Sequence, residues 1–170
     1  MNGVEVLREA FRNSHVWFDG TIADVTPEQA TRDFGGLTNS IGGTIAHNLQ
    51  GEDYFITREQ GREPLWVTGG WEQRVGVPFL MNMDRQQSLA ANPDLNALRE
   101  YAKAVYANTE AYLDSISDAD LDKEIDLSSF GMGKPLLGSF LTMFSVGNNF
   151  AHTGEISALK GTLGAKGYPF

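Results

Sequence analysis

From Leu95 to Ile116 the side chains Leu95, Leu98, Ala102, Val105, Thr109, Tyr112 and Ile116 recur at alternating three- and four-residue steps. Only a helix of 3.6 residues per turn brings such a series to one side. Three further segments carry the same period. Residues 3–20 place Val4, Leu7, Phe11 and Phe18 together, with Val6, Ala10 and Trp17 widening the face. A second helix, opened by Asn39 or Ser40 and closed near Gln60 before Gly61, carries Ile41, Ile45, Leu49 and Ile56. The last runs from Pro135, well suited to a first helical position, to Lys160, with Leu137, Phe140, Leu141, Phe144, Ala151 and Leu159 on one face. Amphipathic helices of about 27 to 39 Å each bury their stripes against one another, so the expected fold class is all-α, a four-helix bundle. A chain of 170 residues makes one such domain, expected over residues 1–170.

The connections are unequal. Thr26-Pro27-Glu28-Gln29 reads as a short capped helical turn, and Ser117 as the cap of a short piece within the acidic stretch DSISDADLDKEID. Residues 61–94 hold three of the six prolines, several glycines, and Trp66 and Trp71. Such a link is a long ordered loop or a set of turns, and it permits a crossover between helices two and three. The tryptophans read as anchors over the core or as a lid on a pocket.

Charge and composition exclude several functions. A formal net charge of −9, without a Lys/Arg cluster to offset it, repels phosphate backbones and anionic lipid, so no nucleic-acid partner is expected. With no cysteine, disulfides, thiolate metal sites and a cysteine nucleophile are absent, and any metal must use His, carboxylate or amide ligands. No apolar run approaches the roughly 18 residues of a membrane span. The N-terminal MNGVEVLREAFRN, broken by Glu5, Arg8, Glu9 and Arg12, is not a secretory signal. The expected protein has no membrane partner and is cytoplasmic.

The stretch SVGNNFAHTGEISALKG, residues 145–161, puts polar groups onto an apolar stripe. On a regular helix Asn148 and Glu155 fall on the centre line of that stripe, with His152 about 60° away. Burial of unpaired groups of this kind costs about 1 to 3 kcal/mol each, more for a charge. Two arrangements compensate: a polar network that fixes the helix register, or a cavity that takes a metal or small molecule. His47 lies off the main stripe of its helix, beside Gly43, Thr44, Gly51 and Tyr54. His15, flanked by Phe11 and Phe18, reads as a hydrogen-bonded histidine at the core edge, and Glu52-Asp53 as a solvated or capping pair. Phosphate-binding glycine motifs, the G-x-S-x-G elbow and H-E-x-x-H are all missing.

With SIGGTIAHNLQGED in its second helix and NNFAHTGEISALKGTLGAKGYPF at its end, the chain resembles the DinB-like superfamily of metal-dependent helical bundles. Asp24-Val25-Thr26-Pro27-Glu28, the long central link and the closing Gly-Tyr-Pro-Phe add to the likeness, which covers essentially the whole length. The resemblance implies an up-down-down-up bundle with a long connection between helices two and three, commonly a homodimer. It also implies a divalent metal such as zinc, nickel or manganese, held by one histidine of helix two and an H-x-x-x-H pair of helix four. His47 matches the first ligand and His152 the last, while Asn148 stands where the middle histidine is expected. An amide oxygen is a poorer donor than imidazole for such metals. Asn148 or Glu155 is then the candidate third ligand, Glu155 being equally a catalytic base or an acceptor that orients His152. Better understood members are thiol-dependent transferases and isomerases, in which the metal activates a low-molecular-weight thiol such as mycothiol or bacillithiol. The resemblance thus implies a metal-dependent thiol transferase, isomerase or hydrolase with a modified site, or a degenerate member that only binds a small ligand or partner in the bundle.

Overall fold

Where the sequence places caps, helices begin. The computed structural model describes residues 1–81 and 84–170. Helix α1 (Gly3–Ile22) opens on Asn2, whose side chain accepts from the Glu5 amide while Glu5 accepts from the Asn2 amide, both at 2.9 Å. Thr26 caps α2 (Pro27–Ala30), as its sequence suggests. Ser40 Oγ accepts from the Gly43 amide at 3.1 Å to start α3 (Ile41–Glu59), and Asp94 takes the Asn96 and Ala97 amides to start α7 (Leu95–Ser115). Between α3 and α7 the Pro/Gly-rich link forms three short helices, α4 (Leu65–Thr68), α5 (Trp71–Val75) and α6 (Arg85–Ala90). After α8 (Asp118–Leu121) comes a 3₁₀ turn at Ser128–Phe130. The last long element comprises α9 (Leu137–Phe140), a π-wound segment at Leu141–Val146, and α10 (Gly147–Thr162). The described chain is all-helical, its one β-bridge joining Glu124 and Leu136.

The side-chain pairs reveal how the long helices run. Arg8 meets Asp114, Arg12 meets Glu110, Tyr106 meets Asp19 and Arg99 meets Ile22, so α1 and α7 run in opposite senses. Ser14 with Asn149 and Thr21 with Lys160 make α1 and α10 parallel. His47 lies against His152, Glu52 bonds Asn149, and Phe55 packs on Phe140, so α3 opposes the last element. The core divides in two. One cluster gathers Phe18, Ile45, Leu49, Trp66, Trp71, Leu98 and Tyr101, the other Leu7, Phe11, Ile56, Leu113, Phe140 and Leu141. Both Trp66 and Trp71 are buried in the first, which makes them anchors rather than a lid.

Two expectations need correction. Glu52 and Asp53 are not solvated: both are buried. Asp53 does cap, but a different helix, accepting from the Leu65 and Trp66 amides at 2.9 and 2.8 Å at the start of α4, and from the Tyr101 hydroxyl at 2.6 Å. The other correction concerns the last helix, which starts at Leu137 and is not uniformly wound. Phe144, Ala151 and Glu155, assigned to the buried face by a constant period, are exposed, and Asn148 is half-buried. The inward positions are Ser145, Asn149, Thr153, Ile156 and Lys160. The π turn holds an extra residue, so everything after it is rotated by one position relative to Leu137, Phe140 and Leu141.

Candidate functional site

Three side chains named from the sequence come together where α3 faces α10. The rings of His47 and His152 lie edge to face with centroids 5.2 Å apart. His47 Nδ1 is 2.7 Å from the Leu80 carbonyl oxygen. A carbonyl cannot donate, so Nδ1 carries the hydrogen and Nε2 the lone pair. His152 Nδ1 is 2.7 Å from Glu155 Oε2, and an ionised carboxylate likewise only accepts, so Nδ1 carries a hydrogen there too. Neither Nε2 has a hydrogen-bond partner among the described residues. Fixing one ring nitrogen with a carbonyl or carboxylate and freeing the other is how metal-binding histidines are oriented.

The link between α3 and α7 explains why His47 can serve although it lies off the main apolar stripe. Gln50, one turn on, accepts from the Leu80 amide through Oε1 at 2.5 Å and donates to the Pro78 carbonyl through Nε2 at 3.1 Å. That clamp lays residues 78–80 along α3 and aims the Leu80 carbonyl at His47. Burial holds the His47 imidazole below its ordinary pKa, an effect reinforced by His152 and opposed by Leu80 and Glu155, so the neutral ring is favoured. Glu155 sits below the usual carboxylate range, chiefly through its hydrogen bond from His152. With its side chain 58% exposed, it is an ionised, accessible group. Asn148 lies one helical turn before His152, half-buried.

Two imidazoles bound to one tetrahedral metal, with metal–nitrogen distances of ~2.1 Å, have ring centres about 5 Å apart. The observed separation matches. Among the described residues, however, no three His, Cys, Asp or Glu side chains gather as a metal-holding group. The pair thus offers two imidazole donors and differs from a three-histidine centre.

Sequence reasoning missed a second polar cluster. Glu52, completely buried, accepts from His15 Nε2 at 3.0 Å to each oxygen, from Thr109 Oγ1 at 2.6 Å and from Asn149 Nδ2 at 2.8 Å. His15 stacks on Tyr106 with centroids 3.7 Å apart, and the Tyr106 hydroxyl donates to Asp19 at 2.9 Å. Burial alone pushes the Glu52 carboxyl up, but His15 and the hydrogen bonds from Asn149 and Thr109 outweigh it and hold the group below its ordinary value. This cluster joins α1, α3, α7 and α10 at the middle of the molecule. Its one sequence signal was His15 beside the apolar face of α1.

The described chain is an all-helical protein with an imidazole pair between two of its long helices. The particular family follows from comparison: the chain belongs to the DinB superfamily, whose profile matches residues 10–156. It is similar in fold to the crystal structure of a conserved protein from Enterococcus faecalis, with 19% identity, a TM-score of 0.81, and coverage of 96% of this chain and 99% of that one. No curated protein matches it.

Proposed function

We propose that this chain is a metal-dependent DinB-superfamily enzyme of small-molecule chemistry, a thiol transferase, isomerase or hydrolase, with His47 and His152 as its metal ligands. One observation carries the reading: both imidazoles are held through Nδ1, neither Nε2 has a hydrogen-bond partner among the described residues, and the ring centroids are 5.2 Å apart. Zinc, nickel or manganese suits the two nitrogens, with Asn148 as a weak third ligand. Glu155 then acts as the acceptor that fixes the His152 tautomer. When bound, the ion lowers the pKa of a coordinated low-molecular-weight thiol or water and so supplies a nucleophile at neutral pH. Leu80 and Glu155 hold the hydrogen of each ring on Nδ1, and the half-burial of His47 limits water at that side of the pair.

The frame for this site is an up-down-down-up four-helix bundle made by α1, α3, α7 and α10. Supporting it are the antiparallel contacts of α1 with α7 and of α3 with α10, and the parallel contacts of α1 with α10. The working unit is a homodimer, for which Val16, Met143, Phe144 and Phe150 supply exposed apolar surface on α1 and the last element. A cytoplasmic setting suits thiol chemistry, and no described helix is long and apolar enough to cross a membrane.

Loss of the third imidazole also favours a second reading, a degenerate member that binds a ligand or partner without catalysis. Elemental analysis of untagged protein after incubation with each metal separates the two. The enzyme reading expects one ion per chain, lost in His152→Ala, and consumption of thiol when an electrophile is added. Absence of bound metal in the wild type overturns it.

A further inference from the structure

Beside the histidine pair lies a cavity of about 310 Å³ lined by Leu37, Thr38, Asn39, Thr44, Glu155, Ala158 and Leu159. Neither imidazole lines it; Glu155, which lines the cavity and bonds His152 Nδ1 at 2.7 Å, is the side chain that joins the two. Its volume is at the lower end of small-molecule sites, enough for a ligand of roughly ten non-hydrogen atoms. Leu37, Ala158 and Leu159 give it an apolar wall.

Its hydroxyls and its one charged group face a ligand as acceptors, while the Asn39 carboxamide can donate as well as accept. The Thr38 hydroxyl already donates to the Gly35 carbonyl at 2.7 Å and the Thr44 hydroxyl to the Ser40 carbonyl at 2.9 Å, leaving only oxygen lone pairs for a ligand. Glu155 is the one formally charged lining residue, and no Lys or Arg lines the cavity to balance it. His152 Nδ1 engages Oε2, and Oε1 has no partner among the described residues. The positive end of α3 is nearby and would by itself favour an anion. Yet Ser40 Oγ takes the Gly43 amide, and residues 41–43 do not line the cavity. The chain's net charge of −9 adds a long-range bias against anions.

From this geometry we infer that the cavity is the substrate subsite of the His47–His152 centre, and that it selects small molecules with an apolar body and a protonated amine, the ammonium donating to Glu155 Oε1. The apolar body lies on Leu37, Ala158 and Leu159, and the reacting end reaches towards the imidazoles. Anionic electrophiles are disfavoured. The inference deepens the proposed activity by naming a substrate class and rests on that reading only for calling the ligand a substrate, since binding itself needs no metal.

The test uses phenethylamine, protonated at neutral pH, and 3-phenylpropionate, its anionic counterpart, titrated into chelator-treated full-length protein and followed by amide chemical-shift changes. Phenethylamine is expected to shift residues of the cavity and to bind at least tenfold more tightly than the carboxylate. Ala158→Phe, at an exposed helix position, fills the wall and is expected to weaken the amine at least tenfold while preserving the thermal melt and the metal content. Glu155→Gln is expected to abolish the preference for the amine and to leave weak binding of the apolar body. Equal binding of the two probes, shifts located elsewhere, or unchanged affinity in Ala158→Phe overturns the inference. If the amine binds but no metal does, the subsite stands and the metal reading falls; if metal binds but the amine does not, the subsite falls and the metal reading stands.

Discussion

Replacing Glu52 by alanine removes the acceptor on which four helices converge. His15 Nε2, Thr109 Oγ1 and Asn149 Nδ2 lose their common partner in a site closed to water. Each stranded buried donor costs about 1 to 3 kcal/mol, though a truncated site relaxes, and breaking a buried pair by removing one member costs about 3 to 5 kcal/mol. We take the latter as the expected loss. Set against a typical stability of about 5 to 15 kcal/mol, this is a large share, equivalent to a fall in Tm of roughly 6 to 20 °C for a chain of this size. Urea unfolding followed by tryptophan fluorescence at neutral pH measures it, because Trp66 and Trp71 are buried in the fold. Glu52→Gln keeps the shape and one acceptor, so a smaller loss is expected. The carboxyl is held below its ordinary value, so its contribution is present above the unfolded-state pKa and is lost as pH falls through the folded one. Glu52→Gln should therefore flatten the acid limb of the stability profile. A loss below about 1 kcal/mol in Glu52→Ala, well short of the cost expected for a broken buried pair, would refute the assignment of Glu52 as the central tie.

Gln50→Ala should release the 78–80 segment from α3, costing about 1 to 3 kcal/mol for the unpaired groups and weakening metal binding because the Leu80 carbonyl no longer holds His47; a metal titration alongside urea unfolding checks both. A Cβ at Gly20 would stand 2.6 Å from Pro169 Cβ, so Gly20→Ala should lift the C-terminal tail from α1, seen as faster amide exchange at residues 165–170 and as loss of the Trp17–Phe170 contact, now at 4.5 Å. The lowered pKa of His47 means that the unfolded chain binds its proton first as pH falls. Metal-free wild type should lose stability below about pH 6.5, and His47→Gln should lose part of that slope.

Apolar spacing revealed the four long helices because their exposed and buried residues alternate with the helical period, and the caps Ser40 and Thr26 are chemically explicit. The short helices α4 and α5 were hidden, since α4 depends on Asp53, a buried residue of the preceding helix α3, to accept its first amides. The π turn was invisible for a different reason: its winding follows from how the last helix packs, and no local residue pattern announces it. That single extra residue moved the buried position from Asn148 to Asn149 and put Glu155 at the surface. Helical spacing drew attention to His152, the family likeness named it and His47 as ligands, and periodicity alone left His47 off the buried stripe. Its positioning partner is a backbone carbonyl 33 residues away, which side-chain chemistry in the sequence cannot disclose. Glu52 was concealed by its own polarity, because a carboxylate reads as solvated until its donors from three other helices are seen.

The most direct test is a long-range proton–nitrogen spectrum of protein labelled at the histidine ring nitrogens, recorded near pH 7.5 without metal and again with one equivalent of zinc. His47 and His152 are both predicted to carry hydrogen on Nδ1 before metal is added, and both Nε2 signals then to move together at one-to-one stoichiometry while His15 stays unchanged. A hydrogen on Nε2 of either ring, or Nε2 signals that do not respond to zinc, would contradict the assignment of the two imidazoles as a metal-binding pair.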